Sequence, residues 1–257
     1  MSAPAVLYRR GPAGVLDVRG ADRVAFLQNL TTNDFRALGA GTALWSAALS
    51  PVGKVLFTFR AAHRGDAVRL LVDPGSRERA AAHFRKYAIF QGIRIEEAPP
   101  FIRFDFYGAE VPPPPAGADL WPPFFELTAT WLVAADAAPA VDAGLGIPPI
   151  GDDDAEERRI DAGRPADGRE IDETRTPDEA GLGSAISATK GCYVGQEVVA
   201  RMRTYGRVPR RLVRLEFAGP PPAAGTVLVR RGDPAREAGR VTSSVRTPSG
   251  AVGLGYA

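Results

Sequence analysis

The 257-residue chain has little of what disulfides and metal sites require. It contains one cysteine, Cys192, and two histidines, His63 and His83. One cysteine cannot close an internal disulfide, a structural zinc site takes about four nitrogen or sulfur ligands, and an iron–sulfur cluster takes several cysteines. We therefore expect no permanently bound metal and no adaptation to an oxidising compartment.

The chain also lacks long apolar runs and a strong excess of one charge. No stretch of roughly 18 apolar residues is present, so we expect no membrane-spanning helix. No basic segment followed by an apolar one opens the sequence, which favours the cytoplasm. The net charge is +2, which is not the footprint of a protein covered with nucleic acid.

The hydrophobic pattern divides the chain near residue 205. Residues 1–204 mix strand and helix signals, whereas residues 205–257 show only strand-like runs separated by turns that contain proline or glycine. Those runs are 212–217, 227–230, 239–245 and 251–256. The pattern predicts an α+β region followed by a small C-terminal β-barrel or sandwich.

The densest chemical signal surrounds the single cysteine, in the segment Lys190-Gly191-Cys192-Tyr193-Val194-Gly195-Gln196-Glu197. Glycine permits tight turns and close approach to a ligand. A cysteine just before a helix start and beside a lysine lies where the thiolate, the nucleophilic and metal-binding form, is favoured. The alternative is a small buried hydrophobic residue in a turn, since free cysteine is among the most buried residue types.

This segment resembles the K-G-C-aromatic-x-G-Q-E signature of the YgfZ family, the folate-binding iron–sulfur maturation proteins. Further blocks resemble this family and its relative, the aminomethyltransferase (T protein) of glycine cleavage. They lie in the same order at 20–34, 50–54, 159–163 and 176–182. Together the blocks extend from about residue 15 to the C-terminus.

The resemblance implies an aminomethyltransferase-like folate-binding region of two intertwined lobes, followed by the β-barrel, with tetrahydrofolate or a derivative as cofactor. It implies that Cys192 is a nucleophile or transient ligand and that Lys190 holds the thiolate or an anionic group. By the same resemblance, Asp161 takes the place of a glutamate that meets the pterin ring in the aminomethyltransferase. A carboxylate suits that contact because its two oxygens can accept the adjacent N–H donors of a pterin. The other motif residues, expected to shape the loop, are Gly191, Tyr193, Gly195, Gln196 and Glu197.

Two departures from the aminomethyltransferase pattern bear on function. The hairpin that carries paired aspartates in those enzymes has Phe57 and Thr58 here, so the proton handling of glycine cleavage has no obvious agent. Asp161 is one methylene shorter than the glutamate it replaces. The first departure favours the YgfZ branch.

The leading interpretation is a tetrahydrofolate-binding accessory protein in the assembly or repair of iron–sulfur enzymes. Its partners would be those enzymes or cluster-assembly proteins, and we expect no association with a membrane. The sequence leans towards a role other than catalysis. One alternative is a folate-dependent one-carbon (aminomethyl or methyl) transferase or a tRNA-modification factor. Another is an interaction module without folate that binds an acidic partner through an arginine cluster. That cluster consists of Arg201, Arg203, Arg207, Arg210, Arg211 and Arg214.

Overall fold

The structure, a computed structural model, describes residues 6–89, 91–206 and 208–257. The fold class is α+β, as predicted, and the described strands form three antiparallel sheets of five, four and four strands. The α-helices of these ranges are α1 (Arg23–Leu30), α2 (Arg77–Ala88), α3 (Ala138–Leu145), α4 (Asp152–Asp161) and α5 (Gln196–Tyr205). None of these helices is both long and apolar enough to span a membrane.

The strands of the described ranges follow the chain in a simple order. They are β1 (Val6–Pro12), β2 (Gly14–Arg19), β3 (Leu44–Leu49), β4 (Val55–Arg64), β5 (Ala67–Val72), β6 (Arg94–Glu97), β7 (Phe101–Gly108), β8 (Asp119–Trp121), β9 (Ala129–Ala134), β10 (Leu212–Phe217), β11 (Val227–Arg230), β12 (Asp233–Thr247) and β13 (Gly250–Tyr256). The first sheet has the order β3-β4-β5-β2-β6, the second β1-β7-β9-β8 and the third β10-β13-β12-β11.

Strand β4 separates an apolar face of the first sheet from a polar one. Because successive side chains of a strand point to opposite faces, Phe57 and Phe59 lie on one face and Thr58 and Arg60 on the other. Phe57 and Phe59 pack edge-on against Phe84 of α2, in the core that α1 and α2 cover. Thr58 and Arg60 are thereby directed to a cavity on the opposite face.

The long polar segment after α4, residues 163–187, covers part of the first sheet. Its residues Ile171 and Leu182 are buried together with Trp45 and Leu49 of β3. The backbone N–H of Val55 in β4 also donates to a carbonyl of this segment, at 2.9 Å. This packing brings the cysteine segment, which follows directly, against the β3–β4 hairpin.

The other two sheets each bury an apolar face of their own. The second sheet encloses an aromatic cluster that includes Tyr8, Phe106 and Trp131. The third sheet packs its inner face on α4, where Ile160 meets Leu254. Helix α4 therefore lies between the C-terminal sheet and the remainder of the chain.

The C-terminal strands form an open sheet, not the closed barrel that the sequence pattern predicts. Within the described residues, the edge strands β10 and β11 pair only with β13 and β12. Small barrels close with about five to eight strands, whereas four strands can bury one face on a helix without closing. The predicted all-β character of this region is confirmed.

A buried carboxylate joins the third sheet to the rest of the protein. Glu170 is fully buried and accepts hydrogen bonds from Arg159 of α4 (2.9 Å) and from the N–H of Ala166 (3.0 Å). It also accepts from the hydroxyls of Thr242 (2.7 Å) and Ser243 (2.5 Å) in β12. A buried charge is stable when paired and fully hydrogen-bonded, so this network holds α4, the loop and β12 in one arrangement.

Candidate functional site

Two connected cavities lie where the first sheet, the second sheet and α4 meet. The "inner cavity" lies against β4 and includes Trp45, Thr58, Arg60 and Phe124 in its lining. The "outer cleft", of 520 Å³, also touches α4 and β12. Both are lined by Asp73, Arg103, Asp105, Arg164, Ala166 and Asp167. Small-molecule sites occupy roughly 300–1,000 Å³, so the outer cleft has the size of such a site.

Some of the charges in the inner cavity are paired with each other or with a neighbour. Arg103 contacts Asp105 at 2.9 Å, and Asp105 also accepts from the hydroxyl of Thr130 at 2.8 Å. Arg164 makes a forked contact with Glu126, with a shortest distance of 2.8 Å. These pairs neutralise two of the three guanidinium groups in the lining.

Three lining groups are left without an ion pair. Within the described ranges, neither Asp73 nor Asp167 has a cationic group within 4.0 Å, and Arg60 has no carboxylate at that distance. A guanidinium can only donate hydrogen bonds and an ionised carboxylate can only accept them. The inner cavity therefore presents two carboxylates and a guanidinium that have no charge partner of their own to whatever occupies it.

Asp167 places a carboxylate beside Thr58, at the hairpin position where the aminomethyltransferases carry paired aspartates and this chain has none. Its oxygens accept from the N–H (3.2 Å) and the hydroxyl (3.0 Å) of Thr58 and from the hydroxyl of Ser76 (3.0 Å). Burial is the main cause that raises the pKa of Asp167 to about 6. Sequence reasoning missed this contact because Asp167 and Thr58 are 109 residues apart.

Arg60 is a buried guanidinium held between aromatic rings. Its Nη2 donates to the carbonyl of Pro122 at 2.5 Å. Its central carbon lies 4.7 Å from the ring centre of Phe124 and 5.3 Å from that of Trp121, as in cation–π contacts. Burial lowers the pKa of Arg60 to about 10, so the group stays charged at neutral pH.

Lys190, expected to hold the thiolate or an anion, contacts the main chain instead. Its ammonium donates to the carbonyls of Gln28 (2.5 Å), Thr31 (2.6 Å) and Asn33 (2.8 Å), at and just beyond the C-terminal end of α1. An ammonium has three N–H donors, and these carbonyls accept all of them. Burial lowers the pKa of Lys190 to about 8. The ammonium thus has no free N–H for the thiol of Cys192.

The motif glycine Gly195 is required by backbone packing. It has φ +81°, and a Cβ there would lie 2.6 Å from the carbonyl oxygen of Ser50. Gly53, in the same hairpin, has φ +73°, and a Cβ there would lie 2.7 Å from the Cβ of Val198. The segments 50–54 and 190–197 therefore pack against each other, and each needs a glycine at the point of contact.

The rest of the cysteine segment divides into an exposed and a buried part. Cys192, Gly191 and Glu197 are exposed, and Tyr193 is buried with its ring 5.0 Å from the ammonium of Lys190. Gln196 is half-buried at the start of α5, and its N–H donates to the carbonyl of Tyr193 at 3.2 Å. Cys192 lines neither cavity. The buried-hydrophobe alternative for Cys192 is therefore wrong, and its chemical role stays a prediction.

Asp161 lies at the C-terminal end of α4, on the surface. Its carboxylate accepts from the guanidinium of Arg214 in β10 at 2.9 Å, and both side chains are exposed. Asp161 lines neither the inner cavity nor the outer cleft. The predicted contact with a pterin ring stays a prediction, and Asp167 is a second carboxylate that competes for that role.

The arginine cluster is largely engaged in surface ion pairs. Arg203 forks onto Asp178 with a shortest distance of 2.8 Å, and Arg210 lies 3.6 Å from Glu237. Arg207 lies outside the described residues. No group of three or more His, Cys, Asp or Glu side chains in the described parts of the chain is arranged to hold a metal ion.

Comparison with solved structures defines the class of fold. The glycine cleavage system aminomethyltransferase T of Bartonella henselae superposes with a TM-score of 0.85, covering 97% of this chain and 78% of that one at 19% identity. The fold is therefore that of the aminomethyltransferases. No family model matches the sequence.

Sequence relatives agree with the motifs. A putative chloroplastic transferase of Arabidopsis thaliana is 28% identical over 95% of this chain and 63% of its own length. The aminomethyltransferase of Rubrobacter xylanophilus is 29% identical (96% and 76%), and the tRNA-modifying protein YgfZ of Yersinia pseudotuberculosis is 26% identical (97% and 83%). The chain is thus related to both YgfZ and the aminomethyltransferases, as the motifs predict, and spans under two thirds of the first of these relatives.

Proposed function

We propose that this protein binds a reduced folate in the inner cavity and outer cleft and uses Cys192 in the maturation or repair of iron–sulfur enzymes. The observation that carries the folate half is the inner cavity, where two carboxylates and a guanidinium without ion-pair partners lie beside two aromatic rings. The relationship to aminomethyltransferases and YgfZ, which extends over nearly the whole chain, supports the same ligand class.

The inner cavity complements the pyrimidine edge of a pterin. A pterin presents adjacent N–H donors, and a carboxylate can accept two of them at once. Asp167, which has no cationic partner among the described residues, supplies that carboxylate. Trp45 and Phe124, whose ring centres lie 5.4 Å apart, supply aromatic surface beside it. The inner cavity alone measures 80 Å³, so we assign the pyrimidine edge of the ring to it and the rest of the ring to the adjoining outer cleft.

The outer cleft, whose lining holds five arginines beside six acidic residues, offers guanidinium donors to the acidic end of a folate. It is lined by Arg9, Arg103, Arg164 and Arg169, each of which already contacts one carboxylate of the protein. A guanidinium has five N–H donors, so such a pair keeps donors for a second anion. The cleft therefore receives the glutamate tail while the ring lies against β4.

Folate affinity is expected to depend on pH through Asp167. The raised pKa of about 6 means that the carboxylate is ionised at pH 7.5 and protonated at pH 5. Since only the ionised form accepts two N–H bonds, affinity should fall about tenfold per pH unit below pH 6. Calorimetric titration with 5-formyltetrahydrofolate between pH 5 and 8 measures this.

The matched variant Asp167→Asn keeps the shape and removes the charge. Its affinity at pH 7.5 should be at least tenfold lower than that of the native chain, because a charged hydrogen bond contributes roughly 1.5–3 kcal/mol. Its affinity should also be independent of pH in this window. A native affinity that is flat between pH 5 and 8 would assign the ring to another acceptor.

The cysteine segment supports the second half of the proposal. Cys192 is exposed on a loop that Lys190 and the Gly53–Gly195 contact hold in place. An exposed thiol on a fixed loop is accessible to a protein client or to a cluster in transit. We propose Cys192 as the reactive group, Lys190 as a positioning residue, and iron–sulfur enzymes or cluster-assembly proteins as partners.

A folate-dependent transfer reaction, including one on tRNA, is the second candidate. Asp167 beside Thr58 favours it, because this pair provides a carboxylate that could move a proton at the hairpin. The names of the relatives, a putative transferase, aminomethyltransferases and a tRNA-modifying protein, point the same way. Turnover of methylenetetrahydrofolate in the presence of tRNA or a lipoyl-bearing protein would favour this candidate, and its absence would favour the accessory role.

A further inference from the structure

Arg60 has more hydrogen-bonding capacity than its surroundings use. A guanidinium carries five N–H donors, and the described residues accept one of them, at the carbonyl of Pro122. The side chain is 6% exposed and lines the inner cavity. Its remaining N–H groups are not among the fully buried atoms without a partner, so they are open to the cavity and favour an acceptor in the occupied site.

The acidic groups near Arg60 do not fill this need. Asp105 lies in the same lining but already accepts from Arg103 and from Thr130. Asp167 also lies in this lining, but no described carboxylate is within 4.0 Å of the Arg60 guanidinium. An acceptor on a bound ligand can therefore use the remaining donors of Arg60.

Arg60 and the carboxylate of Asp167 face the ligand from one face of β4. Thr58, to which Asp167 is bonded, and Arg60 are two positions apart, and such side chains are about 7 Å apart along a strand. Both groups line the inner cavity, so it presents one donor group and one acceptor group to a single ligand. A planar ring that complements them must offer an acceptor next to its donors.

We propose that Arg60 is a specificity-determining residue that selects a ring with a carbonyl oxygen, the 4-oxo pterin, and rejects the 4-amino analogue. This inference rests on the proposed folate site and identifies which form of the ring it accepts. The oxygen at ring position 4 accepts from Arg60 while the neighbouring N–H groups donate to Asp167. An amino group at position 4 places a donor against a guanidinium that can only donate, and it also turns N3 from a donor into an acceptor that faces Asp167.

The test is an anaerobic calorimetric titration with tetrahydrofolate and with its 4-amino analogue at the same reduction level, which differ in one ring substituent. The native chain should prefer the 4-oxo compound by at least tenfold, because a polar group left unpaired in a buried site is strongly penalised. Arg60→Met should reduce this preference at least threefold, because the donor to the 4-oxo group is gone and only the contact of N3 with Asp167 still discriminates. Arg60→Lys, which keeps a charged donor, should retain most of it.

Arg64→Met is the matched control for folding. Arg64 lies on the same strand and contacts Asp119 and the ring of Trp121, but it does not line the inner cavity. The preference of Arg64→Met for the 4-oxo compound should equal that of the native chain. Thermal melting of each variant reports whether it is folded. If Arg60→Met does not fold, Arg60→Gln takes its place, because an amide can donate or accept and should also reduce the preference at least threefold.

The outcomes separate the two claims. If the native chain binds neither compound, the folate proposal fails and this inference fails with it. If the native chain binds tetrahydrofolate and a folded Arg60→Met or Arg60→Gln variant keeps the full preference, the folate proposal stands and the role of Arg60 is overturned. A preference reduced at least threefold in those variants alone supports both.

Discussion

Replacing Lys190 with methionine should lower the free energy of unfolding by about 2–4 kcal/mol. Hydrogen bonds to a charged donor contribute roughly 1.5–3 kcal/mol each, and three buried or half-buried carbonyls lose theirs. The released cost of burying the ammonium offsets part of this loss. Denaturant unfolding of the native and variant chains measures the difference. Since the same contacts fix the cysteine loop, we expect support of iron–sulfur enzymes to fall as well.

Lys86→Met is the matched control for this prediction. Lys86 lies on the outer side of α2 and is exposed, so the same substitution there should change the unfolding free energy by less than about 0.5 kcal/mol. Equal stability of Lys190→Met and the native chain would show that the three carbonyls find other donors. It would return Lys190 to the role that the sequence suggested, beside the thiol.

Replacing Cys192 with serine should abolish support of iron–sulfur enzyme activity and leave folate affinity within about twofold of the native value. Serine has nearly the same size and no thiolate, so it removes the nucleophilic and metal-binding chemistry. Cys192 is exposed and lines neither cavity, so the folate site should not sense the change. The measurements are the activity of an iron–sulfur enzyme in cells that carry only the variant, and calorimetric titration of the purified protein.

Thr189→Ala provides the comparison for Cys192→Ser. Thr189 is an exposed neighbour on the same loop, and its side chain has no part in the proposed chemistry. Cells that carry Thr189→Ala should behave as native. Full iron–sulfur enzyme activity with Cys192→Ser would show that the thiol is not required, and folate binding would remain as the proposed function.

The sequence predicted what is encoded locally. The fold class, the strands of the C-terminal region and the relationship to aminomethyltransferases and YgfZ follow from period-two patterns and contiguous motifs, and all are confirmed. The prediction of a closed C-terminal barrel was wrong, because closure depends on how many strands pair with each other and local sequence patterns do not show this. The three-residue strand β8 is too short for an alternating pattern to show.

The candidate site was harder to predict because its groups come together from distant segments. Asp167 meets Thr58 across 109 residues, and the environment of Arg60 combines β4 with the Pro122–Phe124 segment. Neither contact leaves a local signal. For Lys190 the local pattern was misleading. Its closeness to Cys192 in sequence predicted a contact with the thiol, but its ammonium donates to carbonyls about 160 residues earlier.

The most direct test of the central claim is anaerobic calorimetric titration with tetrahydrofolate at pH 7.5, using the native chain, Asp161→Ala and Asp167→Asn. We expect the native chain and Asp161→Ala to bind alike, because Asp161 lies outside the cavities and pairs with Arg214. We expect Asp167→Asn to bind at least tenfold more weakly. Absence of binding by the native chain, or loss of binding in Asp161→Ala with Asp167→Asn unaffected, would contradict this claim.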